Sequence, residues 1–444
     1  MTLRFGTDGV RGLANAELTP DLVTAFGRAT ATVLDADRLF VGRDTRRSGP
    51  LIEAALSAGL AAEGVDVESV GVAPTPALAW LAAAEQVPAT VISASHNPAP
   101  DNGIKLFVAG GLKADAATER RIERTLDRLV ADRPAPAPVG DAVGRIVDAA
   151  DQLDRYAASV AGSVAPDALE GLSLVVDCAN GAADPLASGV LRSLGAEVTV
   201  LHADPDGTNI NAGCGSTEPA DLQRAVTDVG ADAGLAFDGD ADRVVAVDRE
   251  GRLVDGDHII AVCAIDRHER GLLAGDTVVG TVMTNLGFRL GMEERGIAVE
   301  ETPVGDRNVL AAMEDGGWTL GGEQSGHVIF RDLATTGDGL LTAVQLLDAT
   351  QRSGRPLGEL SDAAMRRLPQ ELRNVEVGRG AVEVGDAIDD EVRSVEEALG
   401  AEGRVLIRPS GTEPVVRVMV EAPTAELARS AADRLATAVQ QALG

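Results

Sequence analysis

At 444 residues the chain exceeds one ordinary hydrophobic core, and its 45% hydrophobic content supplies apolar material for roughly two to four domains. Sixty-nine acidic residues against 39 basic ones give a formal net charge of −30, which excludes a nucleic-acid partner because a phosphate backbone demands a basic footprint. No apolar run is long enough to cross a bilayer, and the start, Met1-Thr2-Leu3-Arg4-Phe5, lacks a charged-then-apolar leader, so a cytoplasmic protein with no membrane partner is expected.

In chain order, Thr19-Pro20 opens a helix whose apolar stripe is Leu22, Ala25, Phe26, Ala29 and Val33. A strand is expected at Leu39–Val41. A helix follows from a Ser48 cap to Leu60, Gly64 ends it, and a second strand covers Val65–Val70. Ala89–Ser93 is apolar enough for a buried strand, which delivers Ser95 to a strand's carboxyl end, where α/β sheets bind ligands. The run Arg133-Pro134-Ala135-Pro136-Ala137-Pro138 reads as a surface excursion. Beyond it come strands at Leu174–Val176 and Ala233–Phe237, the latter ending on Asp238, and another at Val278–Val282. The tail changes rhythm, with strands Arg404–Ile407 and Val415–Val420 around a polar turn and a helix from Thr424 to about Ala442. Domain boundaries are set at 1–150, 151–251 and 252–367 for three α/β units and 368–444 for an α+β unit. The three α/β units are candidates for a shared topology.

Four polar runs carry the chemistry. Ser95 lies in Ser93-Ala94-Ser95-His96-Asn97-Pro98, and Asp238, Asp240 and Asp242 alternate in Asp238-Gly239-Asp240-Ala241-Asp242-Arg243. A hydroxyl beside an all-oxygen site for a hard divalent cation such as Mg²⁺ suits phosphoryl transfer. A calcium loop of the helix-loop-helix kind needs a mid-loop glycine and a closing glutamate, and Arg243 and Arg249 stand there instead. A serine hydrolase is disfavoured, since Ser93 and Asn97 occupy the places of nucleophile-elbow glycines. A serine that receives phosphate needs only alignment, charge neutralisation and a proton shuttle; His96, Asn97 and Lys105 can supply the last two. In Gly322–His327, Glu323 and Ser325 match what sugar hydroxyls require. Arg408-Pro409-Ser410-Gly411-Thr412, with Arg417 on the next strand, has the makings of an anion nest. Near the start, Phe5-Gly6-Thr7-Asp8-Gly9-Val10-Arg11-Gly12 is either a tight turn or a place for Arg11 against an anion.

Scarce residues fall on these runs. Lys105 and Lys113 are the two lysines, and His96 and His327 are two of five histidines. The three cysteines form no C-x-x-C pair, which argues against structural zinc or a disulfide framework and fits a reducing cytosol. An acid-rich, lysine-poor surface suits cytoplasm at molar salt, where the Debye length is about 3 Å, so a halophilic protein is expected.

The whole set resembles the α-D-phosphohexomutase family: FGTDGVRG, SASHNP with DNGIK, DCANGA, DGDADR, VGDRNV, GGEQSGH, TTGDG and RPSGTEP occur in family order along the full chain. The resemblance implies four domains around a central cleft, three of related mixed α/β topology and a C-terminal α+β domain. It implies that Ser95 is the phosphoserine, that its phosphate with Asp238, Asp240 and Asp242 holds Mg²⁺, and that His96, Lys105 and Arg11 are catalytic. Arg243, Glu323, Ser325 and His327 then bind the sugar, and Arg408, Ser410, Gly411, Thr412 and Arg417 hold the non-reacting phosphate. The implied reaction passes phosphate from Ser95 to a small-molecule sugar phosphate, gives a hexosamine 1,6-bisphosphate, and takes back its other phosphate. Glucosamine 6-phosphate is favoured over glucose and mannose phosphates; a Mg²⁺-dependent phosphatase and a non-catalytic binder are the competing classes. A homodimer is a candidate assembly, and the sequence does not set the oligomeric state. Two departures stand out: Ala241 where the family often has glycine, and Asn308 where an aromatic is common.

Overall fold

The computed structural model describes residues 3–6, 8–131, 138–377, 385–409 and 415–443. Most of the proline-rich run, 133–137, and the turn residues Ser410, Gly411 and Thr412 lie outside the described residues. The chain forms two compact units, one of residues 1–283 and 297–362, the other of residues 284–296 and 363–444.

The first unit holds three mixed sheets. The first contains β1 (Val10–Leu13), β2 (Arg38–Arg43), β3 (Asp66–Val72), β4 (Ala89–Ile92), β5 (Asp101–Phe107) and β6 (Ile146–Asp148) in the order β1-β5-β4-β2-β3-β6. The second contains β7 (Ser173–Asp177), β8 (Glu197–Leu201), β9 (Ala233–Phe237), β10 (Val244–Asp248) and β11 (Leu253–Val254) in the order β11-β10-β9-β7-β8. The third contains β12 (Thr277–Thr281), β13 (Ala298–Thr302), β14 (Leu320–Gly322) and β15 (Val328–Phe330) in the order β13-β12-β14-β15.

A common unit of four strands sits in each. Its first strand pairs in parallel with the second on one side and the third on the other, and the fourth returns antiparallel beside the third. That describes β2-β3-β4-β5, β7-β8-β9-β10 and β12-β13-β14-β15 alike. The shared topology suggested by the sequence is therefore present three times. In each copy the turn from third to fourth strand carries a motif: Ser95 after β4, the aspartates after β9, and Glu323 to His327 after β14. Strand carboxyl ends supply the ligand sites of α/β sheets, which is why the motifs recur at one topological place.

Helices cover the first sheet as their apolar spacing predicts. Pro20–Leu34 starts with its proline in the first turn and buries Val23, Phe26 and Val33. It crosses Gly49–Ala62 so closely that a side-chain carbon on Gly59 would stand 2.2 Å from the Thr24 carbonyl oxygen. Ser48 precedes the second helix but makes no capping bond: its own backbone is already helical, with φ −76° and ψ −15°, and its hydroxyl accepts a 2.9 Å hydrogen bond from the Asn102 amide.

The second unit pairs β16 (Gln370–Glu376), β17 (Arg404–Pro409) and β18 (Val415–Glu421) in the antiparallel order β16-β18-β17, with the helices Gly385–Leu399 and Ala425–Leu443. Val416, Val418, Val420, Leu435 and Val439 form its core. Helix Leu286–Glu293 belongs here too. Buried Glu421 accepts from the Leu286 N–H at 2.9 Å and the Asn285 amide at 3.1 Å, tying that helix to β18. Among the described residues, no helix is long and apolar enough to cross a membrane.

Candidate active site

The Ser95 turn follows directly from buried β4, and its backbone is pinned from both sides. Ser95 sits at φ 52°, a left-handed conformation that serine rarely adopts and that surrounding contacts must enforce. Its N–H donates to the Ser93 hydroxyl at 2.9 Å, which itself donates to Asp44 at 2.7 Å. Arg46, fully buried, donates to the carbonyls of Ser95 (2.9 Å), Asn97 (2.8 Å) and Asp101 (3.1 Å), and also to that of Pro98. Asp44 anchors this guanidinium at 2.8 Å. From the second sheet, the Asn211 amide donates to the Ser95 carbonyl at 3.0 Å.

The aspartate run meets this turn. Ser95 Oγ donates to Asp238 Oδ2 at 2.6 Å, and one oxygen from each of Asp238, Asp240 and Asp242 lies within 4.8 Å of the others. All three carboxylates are buried. Gly239 permits the approach: a side-chain carbon there would stand 2.7 Å from the Ser95 carbonyl oxygen. Ala241 adopts φ 55°, so the family's glycine is replaced at a position that does require the left-handed region.

Lys105, 1% exposed, donates to Asp240 at 2.7 Å and Asp242 at 3.1 Å and stands 3.1 Å from Asp8. Burial opposes its charge, but the three carboxylates prevail and hold its pKa well above the ordinary lysine range. Burial likewise pushes Asp242 up, and Lys105, His327 and Arg243 overcome it, bringing the carboxyl down to about 2. Asp238 goes the other way: burial, then Asp242 and Asp240, raise it. Asp240 Oδ1 and Asp242 Oδ1 are buried without a hydrogen-bond partner. Buried acceptors normally find donors, so acids crowded around unpartnered oxygens fit a hard, oxygen-seeking cation.

A cavity of about 760 Å³ opens beside these groups, lined by Arg11, His96, Arg243, Glu323, Ser325 and His327 among others. The sequence-predicted residues of the first unit thus converge. His96 Nδ1 is 3.2 Å from Ser95 Oγ, and burial, with Arg243 and Arg11 nearby, lowers its pKa. Arg11 donates to the Ala94 carbonyl (3.2 Å), Asn97 (3.3 Å) and Asp8 (2.5 Å), so part of its guanidinium braces the turn. Glu323 Oε1 accepts from the Gly305 N–H at 3.0 Å, and both ring nitrogens of buried His327 lack partners. In the second unit, Arg408 and Arg417 are direct neighbours across the β17–β18 pair, which places two guanidinium-bearing residues at one register position beside the turn.

Four sequence signatures of the phosphoglucomutase/phosphomannomutase family match: alpha/beta/alpha domain I over residues 2–132, domain II over 154–251, domain III over 255–368, and the C-terminal domain over 366–438. The phosphoglucosamine mutase of Frankia alni is 54% identical, with 100% of this chain and 99% of that protein covered. The chain belongs to this family. The phosphoglucosamine mutase of Desulforudis audaxviator is 53% identical over 98% of each chain. A crystal structure of a Burkholderia thailandensis phosphoglucomutase/phosphomannomutase family protein matches with a TM-score of 0.81 and 27% identity, covering 99% of this chain and 97% of that one. As a family member, the chain is an isomerase of the phosphohexomutase class.

Several site groups of this phosphohexomutase escape a motif-by-motif reading. Arg46 and Asp44 lie in Gly42-Arg43-Asp44-Thr45-Arg46 at the carboxyl end of β2, and that placement is the signal that could have found them. Thr75 Oγ1 donates to Asp240 at 2.5 Å from a segment with no polar run of its own. Lys113 bridges Asp8 and Asp306, joining the first and third sheets. Both lysines of the chain are therefore spent at this site.

Proposed function

We propose that the protein interconverts glucosamine 6-phosphate and glucosamine 1-phosphate through phospho-Ser95 and a 1,6-bisphosphate. The observation that carries this is the 2.6 Å contact between Ser95 Oγ and Asp238 inside a trio of buried aspartates. In the first half-reaction the Oγ–phosphorus bond breaks and a bond forms from phosphorus to the free sugar hydroxyl, whose proton leaves to a base. His96 is the neutral base beside Oγ, whereas Lys105 is held charged by its carboxylates and serves to offset negative charge. In the second half-reaction the other phosphate returns to Ser95 and the proton goes back.

Asp238, Asp240 and Asp242, with the phosphate of Ser95, are the groups that would hold Mg²⁺. Bound there, the ion supplies charge neutralisation on the phosphoryl oxygens. Glu323, Ser325, Arg243 and His327 line the cavity and are assigned to the sugar. Arg408 and Arg417, with Ser410, Gly411 and Thr412, are assigned to a phosphate, because two arginines at one register position offer charged donors to an anion. The amino-sugar preference is supported by the names of relatives above half identity, not by a contact to the amine.

The test is intact mass of Ser95→Ala beside the unaltered protein. A phosphate adduct of about 80 Da is expected in the latter alone. Turnover is then compared on glucosamine, glucose and mannose phosphates. An adduct that survives Ser95→Ala ends the phosphoserine assignment, and a strong preference for glucose 1-phosphate ends the amino-sugar one.

A further inference from the structure

Behind the aspartate run, the loops of the second sheet bring together ligating atoms that the chemistry above does not use. Asp177 ends β7, His202 follows β8, and Cys214 lies in the long connection before the helix Ala220–Val229. One oxygen, one ring nitrogen and the thiol sulfur of these residues lie within 4.8 Å of one another. Asp177 and Cys214 are fully buried. The Asp177 carboxylate is fixed in place by the N–H groups of Ala179 and Gly215, each at 2.9 Å.

The informative pair is Asp177 Oδ1 and His202 Nδ1, 3.1 Å apart. At that distance a hydrogen bond is ordinary, yet buried Nδ1 makes none. Two ligand atoms each about 2.0 Å from one tetrahedral ion stand about 3.3 Å apart, close to what is seen. On its other side the ring turns Nε2 toward Asp221 Oδ2 at 3.5 Å. Metal-bound histidines commonly present their second nitrogen to a carboxylate, which fixes the tautomer. In the tautomer with the proton on Nε2, the lone pair on Nδ1 faces a carboxylate oxygen, and a cation bound between the two atoms would relieve that repulsion.

We propose that Asp177, His202 and Cys214 form a zinc site, with water in the fourth position and Asp221 orienting the histidine. Thiolate, imidazole and carboxylate together select zinc over Mg²⁺ or Ca²⁺. Burial, then Asp177 and Asp221, push the Cys214 thiol up to about 12, so the ion displaces the thiol proton on binding. The cysteine-pair spacing that argued against zinc in the sequence does not reach this site, whose ligands come from three separate loops. The same segment carries Asn211, whose N–H donates to the Ala179 carbonyl at 2.9 Å and whose amide holds the Ser95 carbonyl. The ion thus acts as a staple behind the Ser95 turn.

The test uses the full chain, stripped with a chelator and titrated with Co²⁺ in excess Mg²⁺, which occupies the oxygen-only cluster. One equivalent of Co²⁺ should give a near-ultraviolet thiolate-to-cobalt band that one equivalent of Zn²⁺ abolishes. Cys214→Ser should lose the band, and His202→Gln should weaken binding at least about ten-fold. Asp240→Asn should keep the band. Circular dichroism confirms that each variant is folded; if Cys214→Ser is not, His202→Gln carries the comparison. No band in the unaltered protein, a band that survives Cys214→Ser, or unchanged affinity in His202→Gln overturns the proposal.

Discussion

Arg46 directs its guanidinium to Asp44 and to the carbonyls of the Ser95 turn, with no surface exposed. Removing one partner of a buried ion pair leaves the other charge uncompensated and costs about 3–5 kcal/mol. Arg46→Met is therefore expected to lose stability on that scale in a denaturant melt, and to lower kcat by loosening the turn that presents Oγ. A loss under about 1 kcal/mol would show that Asp44 finds other partners. Ala241 illustrates the opposite case. Its left-handed conformation costs about 1–2 kcal/mol, while glycine adds about 0.4–1 kcal/mol of unfolded-chain entropy. Ala241→Gly should thus be neutral or stabilising by up to about 1 kcal/mol; clear destabilisation would mean the methyl group packs better than its φ of 55° suggests.

At the scale of elements, Asp338 caps the helix Gly339–Ser353, accepting from the Leu341 N–H at 2.9 Å, and the Tyr156 hydroxyl donates to both its oxygens at 2.9 Å. Burial outweighs these bonds and pushes the carboxyl from 3.8 up to about 6. A folded-state pKa above the unfolded one contributes stability that is fully present below the unfolded value and is lost as pH rises through the folded one. The window is therefore about pH 4 to 6, with the cost fully felt at neutral pH. Asp338→Asn keeps a capping side chain without the titration. Urea melts should show the variant gaining roughly 1–3 kcal/mol on the native protein between about pH 4 and pH 7. Parallel pH profiles for the two proteins would rule this out.

For the whole molecule, the −30 net charge is the dominant long-range property. With Lys105 buried and Lys113 half-buried and paired at the site, arginine supplies most of the positive charge of the surface, and acids outnumber it. Self-repulsion of that size destabilises the compact state at low ionic strength and is screened within about 3 Å at molar salt. The unfolding midpoint is expected to climb steadily as KCl rises to molar concentration. Full stability in dilute buffer would remove the halophilic reading.

Local signals determined a great deal by themselves. The apolar run Ala233–Phe237 fixed a strand ending on Asp238, and the alternation of Asp238, Asp240 and Asp242 specified an oxygen-rich site, because strand burial and ligand hardness are properties of neighbouring residues. The strand before Ser95 was legible for the same reason, whereas Lys105 and Glu323 were marked by residue scarcity and by motif. Three-dimensional packing was needed to reveal that Arg46 from the end of β2 grips the Ser95 turn, that Thr75 reaches Asp240, and that Asp177, His202 and Cys214 meet. Those residues lie from 12 to 165 positions apart and are marked by no common spacing. Their proximity is created by the crossover connections of parallel strands, which place distant carboxyl ends side by side.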